Sequence, residues 1–245
     1  MLIYIILGIV QGIFEWIPIS SEGVVALLSK FLIEDFNPVD LALFLHLGTF
    51  LAVLIYFRED WKNILMFKDL KLLKFLFIAT LVSLAVGYPF YKMIRNIMIG
   101  NVLLIIMGFG LLITAYFNKT RKTFKIGPTS LAIATGFLQG LSVIPGLSRS
   151  GSTIFGLSLG KNDPSEVLRI SYLMSAPVVL VSTVYLFLDK PVLIIEAWPA
   201  LIFSFLAGIL TLKLLLKIAQ RIDFFKFALA FSLLCFIGAA VSFFI

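Results

Sequence analysis

Two short polar stretches interrupt a chain that is otherwise largely apolar, and both contain side chains that could do chemistry. The first pairs Gln11 with Glu15 four residues later and continues to Ser20 and Ser21. The second, residues 145–153 with the sequence PGLSRSGST, brings one arginine, three serines and a threonine together. Guanidinium and hydroxyl groups donate hydrogen bonds to phosphate oxygens, and a carboxylate can hold a cation or act as a base. These residue types suit a phosphate ester whose tail lies in lipid.

The two charged side chains are costly in apolar surroundings. An arginine at the centre of a membrane costs roughly 2.5 to 3.5 kcal/mol on insertion scales, so a partner or a ligand must offset that cost for Arg149. An intramembrane carboxylate such as Glu15 is costly for the same reason. Two interpretations stay open: the two side chains form a structural ion pair, or they hold a ligand between them.

The remainder of the chain must position these residues, and its composition predicts how. The 245 residues are 61% hydrophobic and 13% charged, and the mean hydropathy is +1.10. These values exclude an ordinary soluble domain and predict an all-α polytopic membrane protein. The net charge of +7 comes from basic residues between apolar runs, which membrane orientation explains, so we predict no binding to nucleic acid.

The two halves of the chain, residues 1–117 and 128–245, share one pattern. Each begins with two apolar pieces that are too short to cross a membrane, and three longer apolar runs follow. GIVQG at 8–12 corresponds to GFLQG at 136–140, and both are followed by Ile-Pro and then serines. We therefore predict a single membrane domain of two repeats, each a short re-entrant helical hairpin followed by three transmembrane helices.

Basic residues predict how the repeats are oriented. The segments 58–74, 119–125 and 213–226 are richest in lysine and arginine, which places them in the cytoplasm. Three crossings in each half invert the second repeat, so the two hairpins enter from opposite sides and their tips can meet near the midplane. The protein is thus expected to lie in the cell membrane with its active site facing outside. Trp16, Trp61 and Trp198 are expected to anchor at the membrane interfaces.

The polar residues of the two hairpin tips are the candidate site. Glu15, Ser21 and Arg149 are the catalytic candidates, and Glu15 is the expected ligand of a divalent cation, Mg²⁺ or Ca²⁺. A serine such as Ser21 could attack phosphorus directly, or the metal could supply an activated water, and the sequence does not choose between them. His46 is either a packed helix residue or a proton carrier. The residues expected to bind the phosphate group of the substrate are Gln11, Ser20, Ser148, Arg149, Ser150, Gly151 and Thr153.

In these motifs the sequence resembles the undecaprenyl-diphosphate phosphatase family associated with bacitracin resistance. That family has an (E/Q)xxxE motif that continues into PISSxGH, and a second motif PGxSRSG(S/T)T. Here the first motif lies between Gln11 and Gly23 and the second occupies residues 145–153. The resemblance extends over essentially the whole chain. It departs from the pattern at Val24, where the family motif has histidine.

The resemblance implies an integral membrane enzyme that removes the terminal phosphate from a C55-type polyprenyl diphosphate and so regenerates the monophosphate carrier of cell-envelope glycan synthesis. It implies that Glu15 serves the metal or proton transfer, that Ser21 is the nucleophile, and that Arg149, Ser148 and Thr153 hold the diphosphate. The expected partners are this lipid and the membrane, and the sequence leaves open whether the chain forms a homo-oligomer.

Val24 keeps two questions open. The role of the family histidine must be filled here by another group, such as Glu22, Glu15 or water. A rival function, a transporter or flippase for a polyprenyl phosphate without hydrolysis, also fits inverted repeats with broken helices.

Overall fold

Every regular element that the computed structural model describes is a helix. The described residues are 1–16, 20–33, 36–97, 101–119, 125–160 and 163–218 with scattered positions between 226 and 240. Ten helices lie within these residues. In chain order they are α1 (Leu2–Phe14), α2 (Ser21–Leu32), α3 (Pro38–Tyr56), α4 (Arg58–Leu65), α5 (Leu70–Ile97), α6 (Asn101–Lys119), α7 (Pro128–Leu141), α8 (Arg149–Ser158), α9 (Pro164–Asp189) and α10 (Pro191–Ile218).

Helix lengths separate the crossing helices from the hairpin helices. α3, α5, α9 and α10 are long and apolar enough to cross a membrane, which confirms the all-α, multi-pass prediction. α1 has 13 residues and α2 has 12, so each rises about 18–20 Å and falls short of a hydrocarbon core of about 30 Å. α6 forms where the third crossing of the first half is predicted. The inverted orientation of the repeats stays a prediction.

Three predicted features fall outside the described residues or differ from expectation. Pro18, where the first hairpin is predicted to break, is not among the described residues, nor is most of the last predicted crossing at 224–245. The basic segment after α3 is not all loop, because α4 begins at Arg58 directly after the apolar run ends.

The helices α3 and α9 follow the two hairpins and start with the same signals. Asn37 and Asp163 each accept a hydrogen bond from the backbone N–H two residues later, at 3.0 and 2.9 Å, and proline is the first helical residue in both. The hydroxyl and the N–H of Ser165 lower the pKa of the Asp163 carboxyl by donating to it. Local sequence therefore sets where both helices begin.

Each hairpin packs on a helix from the other half of the chain, α1 on α10 and α7 on α5. A Cβ added to Gly12 would lie 2.7 Å from the Cβ of Ala207, and one added to Gly140 would lie 2.8 Å from the carbonyl oxygen of Ser83. Only glycine allows such close approach of two helices. The repeated GxxQG motif therefore has a packing role at both places.

Trp16 contradicts the expectation of an interface anchor. Its side chain is fully buried, its Nε1–H donates to the carbonyl of Gly208 at 3.0 Å, and its own carbonyl accepts from the hydroxyl of Tyr172 at 2.8 Å. The two rings also meet edge to face at 5.4 Å. The residue after Glu15 is thus fixed against both α9 and α10.

Candidate active site

The N-termini of α2 and α8 meet at the tips of the two hairpins. Ser20 caps α2 by accepting from the N–H of Gly23 at 3.0 Å, and Ser148 caps α8 by accepting from Gly151 at 3.1 Å. The hydroxyl of Ser20 also accepts from the N–H of Gly146 at 3.0 Å, and Gly146 has a φ of 96°, which glycine tolerates best. The predicted contact between the tips is confirmed. Two positive helix ends therefore point at one place.

Glu15 is the centre of the polar contacts between the tips. Its Oε2 accepts from Gln11 Nε2 at 2.8 Å and from Ser21 Oγ at 2.8 Å, and lies 3.2 Å from His46 Nε2. Its Oε1 pairs with Nη2 of Arg149. The carboxylate is 4% exposed, so four donors from four different parts of the chain offset its burial. Of the two interpretations left open, the structure shows the ion pair.

The contacts of His46 fix its charge. Nδ1 lies 2.8 Å from the carbonyl oxygen of Ala42, and a carbonyl only accepts, so Nδ1 donates. Nε2 faces the Glu15 carboxylate, which also only accepts when ionised. With Glu15 ionised by its contact with Arg149, both ring nitrogens must hold a proton. His46 is therefore an imidazolium in this arrangement.

Arg149 reaches across the site from the first turn of α8. Besides its ion pair with Glu15, Nη1 donates to the carbonyl of Ser171 at 3.4 Å. The hydroxyl of Thr153 lies 2.6 Å from that of Ser171 and donates to the carbonyl of Arg149 at 2.9 Å. Thr153 thus holds α8 against α9 beneath the guanidinium.

A small polar pocket lies between the two helix N-termini. Its volume is about 10 Å³, which is room for about one water molecule. This space is too small for a phosphate group, and both partners of the Glu15–Arg149 ion pair line it. The pocket is lined by Glu15, Ser20, Ser21, Glu22, His46, Ser148, Arg149 and Ser150.

The lining agrees with six of the nine predicted site residues and differs for three. Gln11 donates to Glu15 and lies behind it, the N–H of Gly151 is used in capping α8, and Thr153 bonds to α9. None of the three lines the pocket. The predicted list of site residues does not include Glu22 and His46, which are considered only as a substitute for the family histidine and as a proton carrier, and the structure places both in the lining.

A larger cavity of about 460 Å³ adjoins the polar pocket and runs between α3, α5, α7 and α9. Glu22, His46 and Arg149 line both spaces. Tyr88 and Val181, which also line the cavity, are 45% and 46% exposed. The cavity therefore opens at the lipid-facing surface between α5 and α9.

Three tyrosines lie at the far part of this cavity. The ring of Tyr185 meets those of Tyr88 and Tyr91 edge to face at 5.7 and 5.9 Å, and the hydroxyl of Tyr91 donates to Asp40 at 2.7 Å. Ser83 lines the cavity eight residues before Tyr91 on α5, a rise of about 12 Å. An elongated apolar space therefore extends from the charged groups toward the C-terminal ends of α5 and α9.

The predicted metal ligand, Glu15, does not fit that role in this arrangement. Its oxygens contact three hydrogen-bond donors and a guanidinium, none of which tolerates a cation in between. Within the described residues there is also no group of three or more His, Cys, Asp or Glu side chains that could hold a metal. Glu22 differs, because its Oε1 has no hydrogen-bond partner among the described residues.

Comparison with known proteins places these features in a family. The profile of the family described as "Bacitracin resistance protein BacA" matches residues 4–238. A protein of Methanococcoides burtonii is 36% identical over 94% of this chain and 95% of its own length. One from Haloarcula marismortui is 34% identical over 97% of this chain and 96% of its own, and one from Sulfurisphaera tokodaii is 34% identical over 89% of both. All three are named undecaprenyl-diphosphatase.

Proposed function

The chain belongs to the bacitracin resistance protein BacA family, and from this premise we propose that it is a multi-pass membrane phosphatase that acts on undecaprenyl-type diphosphates. It hydrolyses a polyprenyl diphosphate to the monophosphate and inorganic phosphate, and so recycles the lipid carrier of cell-envelope glycan synthesis. One observation supports this most directly: Glu22, His46 and Arg149 line both the polar pocket and the apolar cavity. Such a junction suits a ligand with an anionic head and an apolar tail.

The substrate is placed with its diphosphate between the N-termini of α2 and α8. Hydroxyls of Ser21, Ser148 and Ser150 line that space and can donate to phosphate oxygens. The first isoprene units occupy the cavity, and the rest of the tail leaves between α5 and α9 past Tyr88 into lipid. This opening lies toward the ends of α5 and α9 that the charge pattern places outside, which supports an active site facing outside the cell membrane.

Binding and activation are coupled through Arg149. In the structure its guanidinium neutralises Glu15, and a carboxylate paired in this way is a weak base. A diphosphate competes for the guanidinium, which binds phosphate oxygens in the same forked geometry. When Arg149 turns to the substrate, the pocket opens and Glu15 becomes a stronger base.

Ser21 is the nucleophile in this proposal. Its Oγ donates to Glu15 Oε2 at 2.8 Å, so the proton has an acceptor when the oxygen attacks the terminal phosphorus. The new Ser21–phosphorus bond forms as the bond to the bridging oxygen breaks, and prenyl monophosphate leaves with the electron pair. Water then displaces the phosphoryl group, Ser21 regains its proton from Glu15, and inorganic phosphate is released. Arg149 and the helix N-termini stabilise the charge of the transferring phosphoryl group.

We assign to His46 the role of the family histidine, whose position in the motif is occupied by Val24 in this chain. It comes from α3, touches the same carboxylate that orients Ser21, and borders the substrate cavity. As an imidazolium it adds positive charge beside the diphosphate and can donate a proton to the leaving oxygen. A divalent cation, Mg²⁺ or Ca²⁺, is part of the proposal and would offset the diphosphate charge when bound.

The test is phosphate release by purified protein in detergent from undecaprenyl diphosphate with Mg²⁺ or Ca²⁺. Wild type should release inorganic phosphate, Arg149→Ala should not, and Arg58→Ala should behave as wild type because Arg58 is exposed on α4. The absence of release from any prenyl diphosphate with either metal would refute the proposal. Translocation of lipid phosphate in vesicles without release would instead favour the flippase, which no contact among the described residues favours over hydrolysis.

A further inference from the structure

Glu22 is a buried acid of the site that lacks a hydrogen-bond partner among the described residues. It occupies the second residue of α2 and is 7% exposed, and its Oε1 accepts no hydrogen bond from them. Glu15, by comparison, contacts four donors. An unpaired acid inside a membrane protein is costly and is commonly a functional group. Glu22 is therefore a candidate to bind a ligand, and its side chain lines the pocket that the proposed function assigns to the diphosphate.

The site has few positive charges to offset the negative charges of a bound diphosphate. It contains two acidic side chains, Glu15 and Glu22, beside two cationic groups, Arg149 and the doubly protonated His46. A bound diphosphate adds several negative charges to a space from which water is largely excluded. Uncompensated charge in such a place is strongly unfavourable. A further positive charge must enter with the substrate.

A divalent cation would give Glu22 a ligand and would also supply the positive charge that the diphosphate needs. Mg²⁺ typically binds one or two protein carboxylates together with phosphate oxygens and keeps several waters, without a complete protein cage. Such a site needs no cluster of acids, which agrees with the absence of one in the described residues. Glu15 keeps its contacts with Gln11, Ser21 and His46 when Arg149 turns to the substrate and serves there as the proposed base. Glu22 is the acid of this pocket that has an unpartnered oxygen among the described residues.

We propose that Glu22 is the protein ligand of a divalent cation that bridges the chain to the substrate diphosphate. Its position at the junction of the pocket and the cavity places the cation on the side of the diphosphate nearer the prenyl tail. The inference rests on the proposed function for the phosphate ligands and goes beyond it in naming the protein ligand.

The test measures metal binding directly, with Mn²⁺ as a paramagnetic probe followed by electron paramagnetic resonance. The full-length protein in detergent is titrated with Mn²⁺ in the presence of methylenediphosphonate, which cannot be hydrolysed at its bridge. Glu22→Gln should weaken Mn²⁺ binding by at least about tenfold. The matched control is Glu59→Gln on α4, whose side chain is 73% exposed, and its affinity should equal that of wild type. Thermal melts establish that both variants are folded.

The outcomes separate this inference from the proposed function. Unchanged Mn²⁺ affinity in folded Glu22→Gln overturns the inference, and retained phosphate release in that variant would show that hydrolysis does not need the Glu22 carboxylate. Loss of Mn²⁺ binding in Glu22→Gln supports the metal site even if wild type releases no phosphate from a prenyl diphosphate. Phosphate release by wild type together with normal Mn²⁺ binding by Glu22→Gln would refute this inference but not the proposed function.

Discussion

Replacing Glu15 by glutamine tests the centre of the site with almost no change of shape. A glutamine keeps one acceptor oxygen and puts an NH₂ donor in place of the other. If the NH₂ replaces Oε1, it faces the guanidinium of Arg149, and if it replaces Oε2, it faces the donors of Gln11, Ser21 and His46. No orientation of the amide satisfies all four donors. At least one buried cation loses its counter-charge in either case.

The expected fall in activity can be worked out from the loss of one counter-charge, which is the smaller of these effects. Breaking a buried ion pair by removing one partner costs about 3–5 kcal/mol. If the contacts of Glu15 with Ser21 and His46 persist in the transition state, phosphate release falls by about two to nearly four powers of ten. The assay is kcat/KM for release of inorganic phosphate from undecaprenyl diphosphate in detergent, with a melting curve for each variant.

The matched control is Glu59→Gln, which removes a carboxylate from an exposed pair with Arg58 at 3.8 Å. Exposed pairs contribute only about 0–1 kcal/mol, so release should stay within a few-fold of wild type. If folded Glu15→Gln keeps more than about a tenth of the wild-type activity, Glu15 is not the group that orients the nucleophile and the cations. The mechanism proposed above would then be wrong.

Three further variants test packing, tail binding and the imidazole. Gly12→Ala should lower the free energy of unfolding by about 1–3 kcal/mol through overpacking against α10, and the melting temperature by several degrees. Its control is Gly127→Ala, where an added Cβ meets nothing within 4 Å, and the melting temperature of that variant should be unchanged. Leu84→Trp, in the cavity wall, should raise KM for undecaprenyl diphosphate but not for a one-isoprene diphosphate, and the exposed Leu81→Trp should raise neither. His46→Gln should lower phosphate release by about a hundredfold in protein that a melting curve shows to be folded, and near-normal release would exclude a role in proton transfer.

The parts of the site that could be predicted from the sequence are those that depend on local spacing or on charge cost. Gln11 and Glu15 are four residues apart, so one helix face presents both, and their contact at 2.8 Å follows. The cost of a buried arginine predicts an acidic partner for Arg149, and Glu15 is that partner. The serines that cap helices lie at the N-terminal positions where the polar motifs place them.

The parts that could not be predicted depend on how helices rotate about their axes in the packed protein. His46 lies 31 residues after Glu15, and nothing local shows that α3 turns this side chain toward α1. Trp16 could face lipid or the core, and its burial follows from two partners, Gly208 and Tyr172, that are far away in the chain. Thr153 bears a hydroxyl like the neighbouring serines, but it lies about one turn further along α8 than Arg149 and contacts α9 instead of the pocket.

The two halves of the chain depend on each other at the site, because each half contributes part of the chemistry and part of the other half's support. Glu15 follows α1, which packs on α10 of the second half, and Arg149 opens α8, whose neighbour α7 packs on α5 of the first half. The close contacts of Gly12 with α10 and of Gly140 with α5 therefore set the distance between the two tips. A shift of either hairpin would change the distance between the Glu15 carboxylate and the Arg149 guanidinium while leaving every side chain of the site in the chain. Loss of activity on changing either glycine would thus come from misplacement of the site's side chains and not from removal of one.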